Sequence, residues 1–195
     1  MVSRVCYLTH PQVEIDPAVP VPEWSLSALG RNRVIALAAA GWLSGTSQII
    51  TSAEGKAVET AEILAAALGL SIEVREAMHE NDRSATGFLP PAEFDVVVDA
   101  FFANPTTSVR GWEPAIDAQV RIVREMEAVL DRTPRGDVLV VGHGAVGTLL
   151  LCHYRKIPIS RAHDQPAGGG NYFTFDRRNR RVLQSWQPME RPPPT

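Results

Sequence analysis

The chain has 195 residues, of which 45% are hydrophobic and 21% are charged, so it can bury one substantial core without disulfides or metal ions. Its formal net charge of −3 and its pI near 6.0 provide no basic field of the kind that attracts nucleic acid or an anionic membrane surface. We therefore expect neither nucleic acid nor a membrane among its partners.

The two cysteines, Cys6 and Cys152, lie inside apolar stretches and lack the paired spacing of metal ligands. They are typical of reduced core residues in a cytosolic protein, which argues against a zinc site or a disulfide framework. The N-terminal segment has no apolar core of signal-peptide length, and no run approaches the ~18 apolar residues of a membrane helix. The sequence thus predicts a cytoplasmic protein with no metal and no cofactor.

The first predicted element is a short buried strand over residues 4–9, which are rich in β-branched and aromatic side chains and stop at Pro11. His10 follows the carboxyl end of this strand. Taken alone, such a histidine is most simply a half-exposed side chain at the start of a loop. After a proline-rich loop, apolar residues at a period of about 3.6 predict a helix within residues 25–43, with Gly41 near its end.

The strand–helix pattern then repeats. Residues 47–52 form a second brief apolar run, and a helical apolar face covers residues 57–70, with Lys56 opening the helix. A third short strand is predicted over residues 71–74. The polar loop that follows, residues 76–91, is too long for a simple connector, and loops of that length are often functional.

In the second half of the chain, helices are predicted over residues 91–102 and from about residue 113. The segment DVLVVGHG, residues 137–144, contains a continuous apolar run typical of a parallel strand that is covered on both faces. A helix over residues 145–154 follows it. His143 therefore also stands at the carboxyl end of a strand.

The last segment predicts a terminal hairpin from strands over residues 171–176 and 182–186. The glycine run at residues 168–171 allows two interpretations, a lining for a phosphate or a turn before the strand. We predict one domain over residues 1–187 and a frayed, proline-rich tail over residues 188–195. The alternation of strands with helices predicts an α/β fold, specifically a three-layer α/β/α sandwich with a mostly parallel central sheet.

Polar groups cluster at the predicted strand ends. In open α/β sheets, ligands bind outside the carboxyl ends of the strands, where helix N-termini offer unpaired N–H groups. The sequence brings Thr9 and His10, residues 52–56, and His143 and Gly144 to such ends. Two imidazoles, a cation, hydroxyls and free amides at one edge indicate a site for a phosphoryl group.

Lys56 needs an anion nearby, because a cation in the first turn of a helix is disfavoured by the helix dipole. Glu54 or Glu59 could be that anion, and so could a bound phosphate. The sequence leaves these alternatives open.

The order and spacing of these motifs resemble the histidine phosphatase superfamily, which has the phosphoglycerate mutase-like fold. The resemblance spans about residues 4–176. It rests on His10 after an N-terminal strand, on SLSALGRNRV, on TSAEGKAVETAEILA, on a loop that carries Glu80, and on VLVVGHGAV.

The resemblance implies a metal-independent phosphomonoester hydrolase in which His10 attacks phosphorus and forms a phosphohistidine. His143 would stabilise the charge of the phosphoryl oxygens, and Glu80 would protonate the leaving oxygen and then activate water. The expected partner is a small phosphorylated substrate or a phosphoprotein, and association into a homo-oligomer is left open.

The chain also departs from the family pattern. Thr9 and Pro11 stand where Arg and Gly are typical, and Lys56 replaces a second arginine. Because a hydrogen bond to a charged group contributes ~1.5–3 kcal/mol, losing the first arginine lowers transition-state binding by about 10- to 100-fold unless another group compensates. We expect Thr9, Lys56, Gly144 and, as the surrogate cation, Arg83 to bind the phosphate.

A second hypothesis follows from these departures, namely a non-catalytic phosphate- or phosphoester-binding protein on the same fold. The joint presence of His10, Glu80 and His143 favours the enzyme, since a binding protein has less use for a nucleophile and an acid. A serine hydrolase is excluded by the absence of a G-x-S-x-G motif.

Overall fold

The computed structural model of the protein describes residues 3–132 and 136–193, which contain six strands and five α-helices. The helices in these ranges lack the combination of length and apolarity needed to cross a membrane. The strands are β1 (Arg4–Thr9), β2 (Thr46–Ser52), β3 (Ile72–Arg75), β4 (Asp137–Gly142), β5 (Asn171–Asp176) and β6 (Val182–Pro188). The helices are α1 (Ala28–Ala39), α2 (Gly55–Leu68), α3 (Pro91–Ala103), α4 (Ala115–Arg132) and α5 (Gly144–Arg155).

The six strands form one sheet in the order β3-β2-β4-β1-β5-β6. Strands β1 to β4 run parallel to one another, whereas β5 is antiparallel to β1 and β6 is antiparallel to β5. The predicted α/β fold with a mostly parallel sheet is confirmed. The predicted C-terminal hairpin is also present, as β5 and β6.

Side chains of the central strands alternate between two buried clusters, one on each face of the sheet. In β1, Val5 and Tyr7 belong to one cluster, whereas Cys6 and Leu8 belong to the other. Helices α1 and α2 pack on the Cys6 face, and α3, α4 and α5 supply the cluster on the opposite face. Both faces are therefore covered, which explains the continuous apolar character of β1 and β4. Both cysteines, Cys6 and Cys152, are buried and free.

Helix α1 is shorter than the predicted span of residues 25–43. The Ser27 hydroxyl accepts a hydrogen bond from the Gly30 amide at 3.1 Å and caps the helix. Gly41 follows the helix with φ of 74°, a conformation that favours glycine. Helix α2 begins at Gly55, so Lys56 lies in its first turn as predicted.

Residues 189–191, which follow β6, pack onto the domain, although the sequence predicts a frayed segment there; residues 194–195 of the predicted tail lie outside the described residues. Met189 is fully buried, and its amide donates to the Gly170 carbonyl at 2.9 Å. The Tyr172 hydroxyl donates to the Arg191 carbonyl at 2.8 Å. The packed part of the domain thus extends at least to Arg191, because apolar burial and hydrogen bonds hold this segment against β5.

Tyr7 joins β1 to the backbone of His143. Its buried hydroxyl accepts a hydrogen bond from the His143 amide and donates one to the His143 carbonyl, both at 3.1 Å. A Cβ atom added to Gly142 or Gly147 would lie 2.4 or 2.5 Å from atoms of the Tyr7 side chain. Glycine at these two positions therefore lets the phenol approach closely enough to fix the start of α5.

We expect Tyr7→Phe to lower the free energy of unfolding by about 1–3 kcal/mol, because the buried His143 amide loses its hydrogen-bond partner. Urea denaturation measures this loss, and NMR of the His143 ring detects the local displacement. Tyr172→Phe is the matched control, since its hydroxyl bonds the Arg191 carbonyl away from His143. Wild-type stability together with an unshifted His143 resonance in Tyr7→Phe would contradict the role of Tyr7.

Candidate active site

Two histidines face each other at the carboxyl edge of the sheet. Thr9 pairs with Gly142 in the parallel β1/β4 register, so His10 and His143 are the next residues of neighbouring strands. Their ring centroids lie 5.3 Å apart, with the ring planes at 66°. The His10 amide donates to the Gly142 carbonyl at 3.0 Å, which ties the two strand ends together.

Only one ring nitrogen of His10 has a hydrogen-bond partner among the described residues. Its Nδ1 lies 2.8 Å from the Pro11 carbonyl oxygen. Because a carbonyl only accepts hydrogen bonds, Nδ1 carries the proton in the neutral ring. The lone pair of neutral His10 is therefore on Nε2.

His143 is held by Ser52 at the end of β2. The Ser52 Oγ lies 2.7 Å from His143 Nε2 and accepts a hydrogen bond from the Glu54 amide at 3.1 Å. The Ser52 hydroxyl can donate to Nε2, and in that arrangement the proton of neutral His143 lies on Nδ1. This Nδ1 is buried and has no hydrogen-bond partner among the described residues. In that arrangement the Nδ1–H is a buried donor without an acceptor, which suits it to a bound anion.

Lys56 and Glu54 form a buried ion pair beside the histidines. The Lys56 ammonium donates to a Glu54 carboxylate oxygen and, at 2.8 Å, to the Val21 carbonyl. The other carboxylate oxygen of Glu54 accepts from the Glu80 amide at 2.8 Å and lies 3.5 Å from His143 Nε2. Of the anions left open by the sequence, Glu54 is the one beside Lys56, whereas Glu59 pairs with Arg31 at 2.6 Å.

The side chain of Glu80, from the loop after β3, lies against the N-terminus of α5. Its carboxylate accepts hydrogen bonds from the Ala145 and Val146 amides at 3.1 and 3.0 Å. Arg121 of α4 donates to backbone carbonyls of this loop, including those of His79 and Glu80. The helix N-terminus and Arg121 together bring the Glu80 carboxylate to the residues that follow His143.

The Thr9 hydroxyl is bonded to Gln165 and Asn171. It lies 2.7 Å from the Gln165 side-chain oxygen and accepts a hydrogen bond from the Asn171 amide at 3.0 Å. The Gln165 amide covers Gly144, since a Cβ at Gly144 would lie 2.4 Å from Gln165 Nε2. The hydroxyl of Thr9 is therefore committed to neighbouring residues, and Gln165 occupies the space above Gly144.

The glycine run supports the backbone of His10. The Gly170 amide donates to the His10 carbonyl at 3.0 Å. Gly169 has φ of 63°, and a Cβ there would lie 2.5 Å from the same carbonyl oxygen. Of the two interpretations of this segment, the structure shows a tight turn against the His10 backbone.

A cavity of about 460 Å³ adjoins the histidines. Its walls are residues 20–22 and 79–84, and Glu54 and Glu80 connect it to the histidine pair. Arg83 lies in this wall, with its guanidinium 5.1 Å from the Phe94 ring centroid and 5.7 Å from that of Trp112. The cavity is large enough for a small organic molecule.

The site shifts the pKa values of its ionisable groups. Loss of hydration lowers the pKa of His10 to about 4, and the charge of Lys56 acts in the same direction. Burial also lowers the pKa of His143 to about 4, against the opposing charges of Glu54 and Glu80. Burial alone would raise the pKa of Glu54, but the positive charges of His143 and Lys56 lower it to about 2. At neutral pH both imidazoles are therefore neutral and Glu54 is ionised.

The structure brings His10, His143, Glu80 and Lys56 together around the end of β4. It sets Arg83 apart in the cavity wall, and the Thr9 hydroxyl bonds to neighbouring protein groups. The roles assigned to all these residues and to Gly144 remain predictions. Sequence reasoning gave no role in the site to Tyr7, Asn81 or Gln165, and it considered Glu54 only as a counter-ion. The sequence signal for a role of Glu54 was its proximity to Lys56. Gln165 contacts Thr9 from 156 residues away in the chain, so no local sequence pattern indicates this contact.

A family model for branch 1 of the histidine phosphatase superfamily matches residues 18–187. The chain belongs to the histidine phosphatase superfamily. The matched range includes Lys56, Glu80 and His143 but begins after His10. This limit agrees with the altered first motif, Thr9–His10–Pro11, and membership supports the prediction of a histidine-type phosphatase.

Solved structures of the superfamily share the fold. A mycobacterial glucosyl-3-phosphoglycerate phosphatase is 20% identical, with a TM-score of 0.77 over 96% of this chain and 97% of its own. YhfR of Bacillus stearothermophilus is 20% identical, with a TM-score of 0.79 over 93% and 95%. A phosphoserine phosphatase of Entamoeba histolytica is 13% identical, with a TM-score of 0.79 over 96% and 98%. A search of curated proteins by sequence gave no significant match.

We expect Glu54→Gln to destabilise this histidine phosphatase strongly, because Lys56 is 3% exposed and would keep a buried charge without a carboxylate. Breaking a buried ion pair from one side costs about 3–5 kcal/mol. Urea denaturation of Glu54→Gln and of Glu54→Gln/Lys56→Met measures the loss in free energy of unfolding. The double variant should recover part of that loss.

Glu93→Gln is the matched control, since Glu93 pairs with Arg110 on the surface and both side chains are about half exposed. An exposed pair contributes about 0–1 kcal/mol. Equal losses of stability in Glu54→Gln and Glu93→Gln would show that the buried pair contributes no more to stability than the exposed pair.

Proposed function

We propose that the protein is a metal-independent phosphomonoester hydrolase that forms a phosphohistidine on His10. The observation that carries this proposal is the facing pair of His10 and His143, with ring centroids 5.3 Å apart at the carboxyl edge of the sheet. Neutral His10 keeps its lone pair on Nε2, which is the form required of a nucleophile. Membership of the superfamily supports the reaction class.

In the proposed first step, His10 Nε2 attacks phosphorus while the bond from phosphorus to the ester oxygen breaks. The leaving oxygen takes the electron pair of that bond and a proton from the Glu80 carboxyl group. In the second step, water attacks the phosphohistidine, Glu80 takes a proton from that water, and the nitrogen–phosphorus bond breaks. Throughout, the buried His143 Nδ1–H donates to a phosphoryl oxygen.

The assignment of phosphate-binding groups also belongs to this proposal. Lys56 retains its charge beside the histidines although it pairs with Glu54. Because Glu80 occupies the amides of Ala145 and Val146, the Gly144 amide is left in the first turn of α5 as a donor for the phosphoryl group. Thr9 contributes by holding Gln165 next to Gly144.

A second candidate is a phosphate- or phosphoester-binding protein without turnover. One observation favours it, namely that Thr9 and Lys56, which replace the two arginines of the family, are both bonded to protein groups. A pocket with so little free positive charge beside the histidines would bind a phosphate but stabilise its transition state weakly.

Hydrolysis of a generic aryl phosphate by the chelator-treated protein tests the first candidate against the second. We expect turnover and a phosphoenzyme that is labile in acid, with the label on His10. His10→Ala should lose at least a thousandfold in kcat, because the covalent route is removed. His153→Ala is the control, since His153 lies far along α5 and is exposed. Phosphate or vanadate binding without turnover or label would instead identify the non-catalytic protein.

The pH dependence of kcat/KM provides a second test. His10 must be unprotonated to attack, and its pKa is lowered from 6.5 to about 4, so the nucleophile stays active well below neutral pH. Because Glu80 must carry a proton when the leaving group departs, the profile should be bell-shaped with its maximum on the acid side of neutral. An acid limb near pH 6.5 would contradict the depressed pKa of His10.

Folding must be followed across the same pH range. Both His10 and His143 have folded-state pKa values of about 4, below the ordinary value of 6.5. As the pH falls, the unfolded chain therefore binds protons at these two residues before the folded chain does. Their contribution to stability is complete above about pH 6.5 and declines as the pH falls towards 4. Circular dichroism at each pH separates protonation of the nucleophile from acid unfolding.

A further inference from the structure

Two residues that line the cavity beside the histidines, Arg83 and Asn81, carry donors that lack an acceptor in the described part of the chain. Arg83 forms no ion pair with any carboxylate in the described part of the chain, whereas Lys56, the other cation near the site, is paired with Glu54. Asn81 is 4% exposed, and within residues 3–132 and 136–193 its side-chain nitrogen finds no hydrogen-bond partner. Buried donors of this kind usually have an acceptor, so the cavity lacks an anionic or acceptor group.

The guanidinium of Arg83 is oriented in advance. It lies over the rings of Phe94 and Trp112, at 5.1 and 5.7 Å from their centroids. Trp112 is itself fixed, because it is 1% exposed and its indole N–H donates to the Thr86 hydroxyl at 2.8 Å. Stacking on aromatic rings restricts the guanidinium while leaving its N–H edge available for an acceptor.

The position of the cavity assigns these donors to the leaving group. The residues that line it do not include His10, His143 or Gly144, and it meets the histidine pair through Glu54 and Glu80. A phosphoryl group between the histidines would direct its ester oxygen towards Glu80, the proposed acid. The organic part of the substrate would then extend past Glu80 towards Asn81 and Arg83.

The other charges of the wall select the kind of acceptor. Glu54, Glu80 and Asp82 are acidic, so a second phosphate dianion would meet repulsion from three carboxyl groups. A carboxylate carries one charge, and its planar pair of oxygens fits the fork of an arginine. Val21 and Pro22, which also line the cavity, offer apolar contact for a short carbon chain.

We propose that Arg83 and Asn81 bind a carboxylate on the leaving group, so that the substrate class is a phosphomonoester of a small hydroxy acid. The inference rests on the proposed function for the location of the phosphoryl group. It assigns Arg83 to the leaving group and not to the phosphoryl group, contrary to our expectation from the sequence.

Matched phosphoesters with and without a carboxylate test the proposal by binding alone. Calorimetry on His10→Ala, which cannot form the phosphohistidine, compares O-phosphoserine with O-phosphoethanolamine and 3-phosphoglycerate with glycerol 3-phosphate. We expect the carboxylated member of each pair to bind about 10- to 100-fold more tightly, as for a hydrogen bond to a charged group. Adding Arg83→Gln should reduce this ratio to near one and leave the affinity for the other member almost unchanged.

Two further variants keep the test decisive. Asn81→Ala should lower the ratio in the same direction, and Arg83→Lys should recover only part of it because an ammonium lacks the fork. Arg124→Gln is the control, since the Arg124 side chain is 70% exposed on α4. Circular dichroism checks that each variant folds.

The proposal is overturned if the carboxylated ligands show no preference, if the preference survives Arg83→Gln, or if Arg83→Gln weakens both members of a pair equally. The last result would indicate that Arg83 binds the phosphoryl group and not the leaving group. Because binding is measured without turnover, these outcomes are separate from the test of the proposed function. A protein that binds carboxylated phosphoesters but releases no phosphate would retain this inference and lose the hydrolase.

Discussion

The parallel pairing of β1 with β4 is the constraint on which the rest of the site depends. The register of Thr9 with Gly142 makes His10 and His143 neighbours, and the Tyr7 hydroxyl bonds both backbone groups of His143 from the adjacent strand. Because the side-chain period of a strand is two, a one-residue slip would turn Tyr7 away from His143 and bury a different face of β1. The packing of the core and the geometry of the histidine pair are therefore fixed by the same contact.

The charges of the site are balanced largely within the protein. The positive charge of Lys56 is balanced by the negative charge of Glu54, and the carboxylate of Glu80 lies against the N-terminus of α5. Both histidines are held neutral at pH 7 by loss of hydration. Such a site provides oriented hydrogen-bond donors for an incoming anion but little net positive charge. The stabilisation of a phosphoryl group then depends on geometry, which burial strengthens by excluding competing water.

The sequence predicted the layers of the fold and the two histidines because those signals are local. Apolar periodicity marks each strand and helix, and His10 and His143 each follow a strand directly. The partner of Lys56 could not be chosen from sequence, since Glu54 and Glu59 are both within reach of a first helical turn. The contacts of Thr9 with Gln165 and of Tyr7 with His143 were out of reach, because they join residues 156 and 136 positions apart through the packed sheet.

The loss of the first-motif arginine is linked to these long-range contacts. An arginine at position 9 would need space and an anionic partner, whereas Thr9 is fully buried and its hydroxyl bonds Gln165 and Asn171. Gln165 in turn lies against the Cα atom of Gly144, the first residue of α5. Within residues 3–132 and 136–193, the cation of this region without an ion pair is Arg83, which lies on the loop after β3 and not on β1. The cation at the strand ends, Lys56, is thus paired within the protein, whereas Arg83 lies in a cavity wall, where under the inference proposed above it distinguishes one leaving group from another.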